Sequence, residues 1–121
     1  MITKEQFDNE IEIMVTSESL GVFCFATNGT PLWNYSKQNI RTPACIGDIN
    51  NDNYMEILVG SADDLICLDS QGLLLWNFST PVYPTPAITL VDLYNDQDIE
   101  ILVGCEINKL FCLFSNGTVF W

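Results

Sequence analysis

The stretch GDINNDNYMEILVGSADDLICLDSQGLLLWNF, residues 47–78, carries the reading of the whole chain. Its central phrase MEILVGS (55–61) recurs as IEIMVTS (11–17) and as IEILVGC (99–105). Glu12, Glu56 and Glu100 therefore lie 44 residues apart. Cys24, Cys67 and Cys112 recur at spacings of 43 and 45, and so do Trp33, Trp76 and Trp121. One unit is written three times. A fixed repeat of this period is the mark of an array of like supersecondary units.

The middle unit reads as four short strands. PACIGDIN (43–50) is a short apolar strand, and NDNY (51–54) turns the chain. MEILVGS is a nearly unbroken apolar run, as in a strand buried on both faces. Residues 62–64 turn the chain again, LICLDS (65–70) is the third strand, and LLLWNFS (73–79) is the fourth. The turn between them, Gln71-Gly72, is Asn28-Gly29 and Asn116-Gly117 in the other units. Asn-Gly is a strong hairpin signal because both residues tolerate positive φ. Four short strands with tight turns and one Trp per unit predict a β-propeller blade. The expected fold is all-β, with three four-stranded blades at residues 1–36, 37–80 and 81–121. The first strand of blade one is weak or missing, and blade three stops within its fourth strand. SKQNIRTP (36–43) and STPVYPTP (79–86) read as links between blades, kept out of the sheet by their prolines.

Residues 47–78 resemble the FG-GAP/VCBS repeat of integrin-α-like propellers. Their second half also resembles the tryptophan-docking repeat of quinoprotein-type propellers. The resemblance implies the blade but not one function, since such propellers serve adhesion, carbohydrate binding, scaffolding and enzymes alike.

The turn after the first strand of the middle unit has the spacing D-x-N-x-D-x-x-x-E. Asp48, Asn50 and Asp52 offer side-chain oxygens, Tyr54 a backbone carbonyl, and Glu56 the closing carboxylate. Five or six hard oxygens suit Ca²⁺. In the resembling family this loop binds calcium, and the match is position by position except at Asn53, which stands where glycine is usual. The competing reading is an Asx-rich turn that needs no metal. A second, weaker site is expected at Asp92, Asp96, Asp98 and Glu100, where Tyr94 replaces a ligand and Gln97 replaces the glycine. In the first unit Lys4 takes the first ligand position, followed by Gln6, Asp8 and Glu12, and that site is read as lost. The three glutamates can also serve as backbone hydrogen-bond acceptors, with or without metal.

Composition excludes several function classes. Net charge is −12, with 16 acidic and 4 basic residues. Lys4, Lys37, Arg41 and Lys109 do not cluster, so nucleic acid and anionic membrane are poor partners. No apolar run is long enough for a membrane helix. The absence of histidine removes His-dependent triads and His-ligated metal sites. The repeated cysteines read as buried free thiols in a reducing compartment, while Cys45 and Cys105 have no counterparts. Four N-x-S/T sequons, at Asn28, Asn34, Asn77 and Asn116, follow from the repeat without glycosylation. The three tryptophans read as inter-blade packing rather than as sugar-stacking platforms.

Propellers have roughly four to eight blades, so three cannot close a ring. The apolar last unit predicts a homodimer closing a six-bladed ring, with Phe120 and Trp121 packed on blade one of the partner. The expected function is a non-catalytic, calcium-stabilised assembly or binding module with a protein or carbohydrate ligand. The alternative is a fragment of a larger propeller adhesin or enzyme whose site lies outside this chain. A chain beginning at MITKEQFDNE has no leader and is expected in the cytoplasm; as a fragment of a secreted protein it would be extracellular.

Overall fold

The computed structural model describes residues 2–4, 11–80, 84–106 and 108–121. Their strands form three antiparallel sheets in chain order. The first contains β1 (Ile2–Lys4), β2 (Ile11–Ser17), β3 (Gly21–Ala26) and β4 (Pro31–Ser36). The second contains β5 (Cys45–Gly47), β6 (Glu56–Gly60), β7 (Asp64–Leu68) and β8 (Leu74–Ser79). The third contains β9 (Pro84–Val91), β10 (Glu100–Cys105) and β11 (Lys109–Leu113). Each sheet is a meander, the form expected of a propeller blade.

Register explains why Cys and Trp recur together. Cys24 pairs with Met14 on one side and Trp33 on the other. Cys67 is likewise flanked by Leu58 and Trp76. A small apolar side chain fits between the larger neighbours of the adjacent strands. All three repeated cysteines are fully buried thiols outside any disulfide. Cys105 is also buried and Cys45 half-buried, and both are free thiols.

The core lies between the sheets. Met14, Val22 and Cys24 of blade one pack with Ile57, Val59, Ile66 and Leu68 of blade two. Leu58, Leu65 and Cys67 turn the other way, onto Ile101, Val103 and Leu113 of blade three. Every residue of β6 and β7 is buried, because blade two has a neighbour on each face. That accounts for the unbroken apolar run in its sequence. The first strands of successive blades approach closely: a Cβ on Gly47 would stand 2.7 Å from Leu90 Cδ1.

The first strand of blade one is three residues long, with Ile2–Lys4 paired to Ile11–Ile13. Prolines do not keep the second link out of the sheet, because β9 contains Pro84 and Pro86. This strand pairs only with β10, so it is an edge, where missing N–H groups are tolerated; the register also shifts between Val103 and Cys105, opposite Pro84. The end of blade three is held by a single bridge, Leu113 to Val119, and by hydrogen bonds between Cys112 and residues 120 and 121.

Candidate metal centre

The loop joining β5 to β6 folds back on its own carboxylates. Asp48 accepts hydrogen bonds from the backbone N–H of Asp52 (3.1 Å) and Asn53 (2.9 Å). Asn50 Oδ1 accepts from Asp52 N–H at 3.1 Å, and Asp52 Oδ1 from Tyr54 N–H at 2.8 Å. Asn51 and Asn53 take left-handed backbones, with φ of 62° and 70°. Asparagine tolerates that region better than other non-glycine residues, so Asn53 can replace a glycine.

The closing carboxylate comes from β6. Glu56 is 1% exposed and its Oε2 accepts the Ile49 N–H at 2.9 Å. Burial pushes its carboxyl up to about 7; the Ile49 hydrogen bond opposes this, and the charges of Asp52 and Asp48 reinforce it. Ligand oxygens of Asp48, Asp52 and Glu56 all lie within 4.8 Å of one another, the only such acidic trio among the described residues. Three acids with one poorly solvated charge form an anionic pocket that a hard cation would relieve. Asn50, Asp52, Tyr54 and Glu56 also line a cavity of about 270 Å³. Asp69 and Gln71 of the β7–β8 hairpin face the same cavity. The sequence reading missed Asp69, because its counterparts Ala26 and Phe114 carry no charge.

The third unit repeats the turn without assembling the trio. Asp92 accepts from the N–H groups of Asp96 (3.1 Å) and Gln97 (3.0 Å), and Asp96 from Asp98 N–H (3.1 Å). Glu100 accepts the Leu93 N–H at 2.9 Å, as Glu56 accepts that of Ile49. The backbone-acceptor role considered for the repeated glutamates is thus present in both units. Gln97 holds φ of 73° where glycine would be unstrained. Tyr94, in the place of Asn50, turns away to an aromatic cluster. Its ring meets Phe120 edge-on at 5.5 Å, and Phe120 meets Phe114 at 4.9 Å. The side chain of Asn51 donates to the Gln97 carbonyl at 3.1 Å and ties the two loops together. In the first unit, residues 5–10 lie outside the described residues, so the loss read at Gln6 and Asp8 has no structural counterpart here.

On another turn, Asp64 is 8% exposed and bound to Ser61, to the Asn77 amide at 3.2 Å and to the Lys37 ammonium at 3.3 Å. Burial raises its carboxyl, but these partners bring it below its usual range. The Asn77 sequon therefore spends its amide on Asp64. Asn28 and Asn116 cap their hairpins, accepting the Thr30 and Thr118 N–H groups at 3.0 and 3.1 Å.

The tryptophans join blades through one device. Trp33 Nε1 donates to the Ser70 carbonyl of the next blade at 3.1 Å, and Trp76 Nε1 to that of Ser115 at 2.9 Å. Each indole covers the hairpin glycine of that blade: a Cβ on Gly72 would stand 2.6 Å from Trp33 Cδ2, and one on Gly117 2.5 Å from Trp76 Cδ2.

The sequence model of the lambda-carrageenase β-propeller domain matches residues 43–120. The chain belongs to this β-propeller family. Its three meander sheets, joined by indole-on-glycine contacts, are propeller blades in kind. The crystal structure of the V. cholerae biofilm matrix protein Bap1 superimposes on 99% of this chain with a TM-score of 0.72 and 19% identity. At that identity the likeness speaks to fold alone. The chain spans 19% of the length of that Bap1 chain. No curated protein matches it. Both matches support a β-propeller repeat without singling out the FG-GAP/VCBS type. Among the described residues no helix is long and apolar enough to cross a membrane.

Proposed function

We propose that this chain is a non-catalytic, calcium-stabilised β-propeller module of FG-GAP/VCBS type that self-associates to close its ring. The observation that carries the calcium reading is the convergence of Asp48, Asp52 and Glu56 in a turn of D-x-N-x-D-x-x-x-E spacing. Asp48, Asn50, Asp52, the Tyr54 carbonyl and Glu56 would hold the ion. Bound calcium supplies positive charge beside the buried Glu56 carboxylate and so ties the β5–β6 turn to the blade core. The loop of Asp92, Asp96, Asp98 and Glu100 is proposed as weaker, because Tyr94 has left the ligand set for Phe120. The lack of histidine supports a non-catalytic role. The ligand of the assembled module would be a protein or a carbohydrate.

A second reading has one observation in its favour. The chain corresponds to 19% of the Bap1 chain, as a segment of a larger propeller protein would. On that reading the ligand site lies on other blades, and the location would be extracellular, as for a fragment of a secreted protein, rather than cytoplasmic.

Thermal unfolding with calcium and with chelator tests the proposal, for the wild type and for Asp48→Ala. A calcium-dependent rise in Tm for the wild type that Asp48→Ala loses is the expected result, by mass action on the folded state. An equal shift in both proteins, or none in the wild type, overturns it.

A further inference from the structure

The cavity beside the β5–β6 loop has two walls. One is the loop with its closing strand, through Asn50, Asp52, Tyr54 and Glu56. The other is the β7–β8 hairpin, through Asp69, Ser70 and Gln71. That hairpin also receives the tryptophan of blade one. Trp33 Nε1 donates to the Ser70 carbonyl at 3.1 Å, and a Cβ on Gly72 would stand 2.3 Å from Trp33 Cε3. The acidic cavity and the junction of blades one and two thus share one hairpin.

Asp69 belongs to both. Its Oδ1 accepts the N–H groups of Gln71 and Leu73, each at 2.9 Å. Its backbone adds two bonds across the turn, Asp69 N–H to Leu73 O at 2.8 Å and Gly72 N–H to Asp69 O at 3.0 Å. A force on this carboxylate is therefore passed to the turn that carries Ser70 and Gly72. The Cys67 thiol is raised by burial first and then by the charges of Glu56 and Asp69, so both carboxylates act on the same neighbourhood.

Blade three keeps the junction but not the acid. Trp76 covers Gly117 and donates to the Ser115 carbonyl, as Trp33 does on blade two. There the counterpart of Asp69 is Phe114, and those of Asn50 and Leu75 are Tyr94 and Phe120. The ring of Phe120 meets both Tyr94 and Phe114 edge-on, at the positions that line the cavity in blade two.

We propose that Asp69 couples cation binding in the Asp48–Glu56 loop to the Trp33 junction, so that calcium tightens the seam between blades one and two more than the seam between blades two and three. Without a cation, Asp69 shares the cavity with Asp52 and Glu56, and like charges push the hairpin away from the loop. A divalent cation held by the loop offsets that repulsion and lets the hairpin settle under the indole. The inference rests on the calcium reading proposed above, and gives that site a mechanical output.

The test follows hydrogen exchange of the Trp33 and Trp76 indole N–H groups by NMR, with calcium and with chelator, in the wild type and in Asp69→Asn. Melting of the same samples is followed in parallel. Asparagine keeps the Oδ1 that holds the turn and removes the charge. In the wild type, calcium is expected to raise Tm and to slow exchange at Trp33 about tenfold more than at Trp76, a size ordinary for coupling between two sites. In Asp69→Asn, calcium is still expected to raise Tm, but the two indoles should respond alike. A wild type whose Tm rises while the two indoles slow equally overturns the coupling and leaves the calcium reading standing. So does a variant that keeps the tenfold difference. A variant whose Tm no longer rises makes Asp69 indispensable to binding itself, and overturns its role as a link. A wild type with no calcium-dependent rise in Tm overturns both readings.

Discussion

Replacing Glu56 by Gln should stabilise the calcium-free protein and abolish its response to calcium. Glu56 is 1% exposed, and its carboxyl is raised from 4.5 to about 7, first by burial. Between these values the folded state holds a proton that the unfolded chain has lost. Stability from this group is therefore highest at low pH and falls as pH rises from about 4.5 to 7. Fully ionised, the group costs the fold about 3 kcal/mol. Gln keeps an oxygen for the Ile49 N–H, now at 2.9 Å, and removes the charge that Asp48 and Asp52 oppose. In chelator at pH 8, denaturant unfolding should show Glu56→Gln more stable by about 3 kcal/mol, and at pH 5 the gap should shrink to below about 1 kcal/mol. Calcium at a hundredfold excess over its Kd should then raise wild-type stability by about 2.7 kcal/mol and leave the variant unmoved. A variant less stable than wild type in chelator at pH 8 would refute the burial argument. A full calcium response in the variant would refute the role of Glu56 as a ligand.

Two further outcomes are expected. Gly117→Ala should destabilise by about 3 kcal/mol in thermal or urea unfolding: about 1 to 2 from an L-residue at φ 85°, and the rest from displacing Trp76 and its 2.9 Å bond to Ser115. Trp76→Phe should cost less, and a neutral Gly117→Ala would show that the indole is not seated there. Thiol labelling of the native protein should reach the half-buried Cys45 well before Cys24, Cys67 and Cys112. Burial, with Glu56 and Asp69 nearby, pushes the Cys67 thiol up to about 12, so little thiolate is available. Rapid native labelling of the repeated cysteines, or a disulfide among them, would contradict this.

The elements legible in the sequence are those set by local chemistry. Asn28-Gly29 and Asn116-Gly117 specify hairpins because their backbones reach positive φ unaided, and both glycines do so. The apolar run 55–61 announces a strand buried on both faces, and the recurrence of Cys and Trp places them as cross-strand neighbours. The Asp48–Glu56 spacing brings three acids together, and the N–H groups of Ile49, Asp52, Asn53 and Tyr54 find side-chain oxygens within a few residues.

What the tertiary structure decided involves neighbours that local sequence cannot encode. Val15, Val59 and Val103 occupy one repeat position, yet only Val15 is exposed, because burial depends on the blade alongside. Tyr94 stands where Asn50 offers an oxygen, but Phe120 gives its ring a better place. Asp69 joins the loop cavity from a separate hairpin, with no repeated signal to mark it. Pro84 and Pro86 enter a strand because that strand is an edge, a fact known only once the sheet is assembled. The tryptophans at one position in sequence differ for the same reason: Trp33 and Trp76 have a following blade to receive them among the described residues, and Trp121, half exposed, does not.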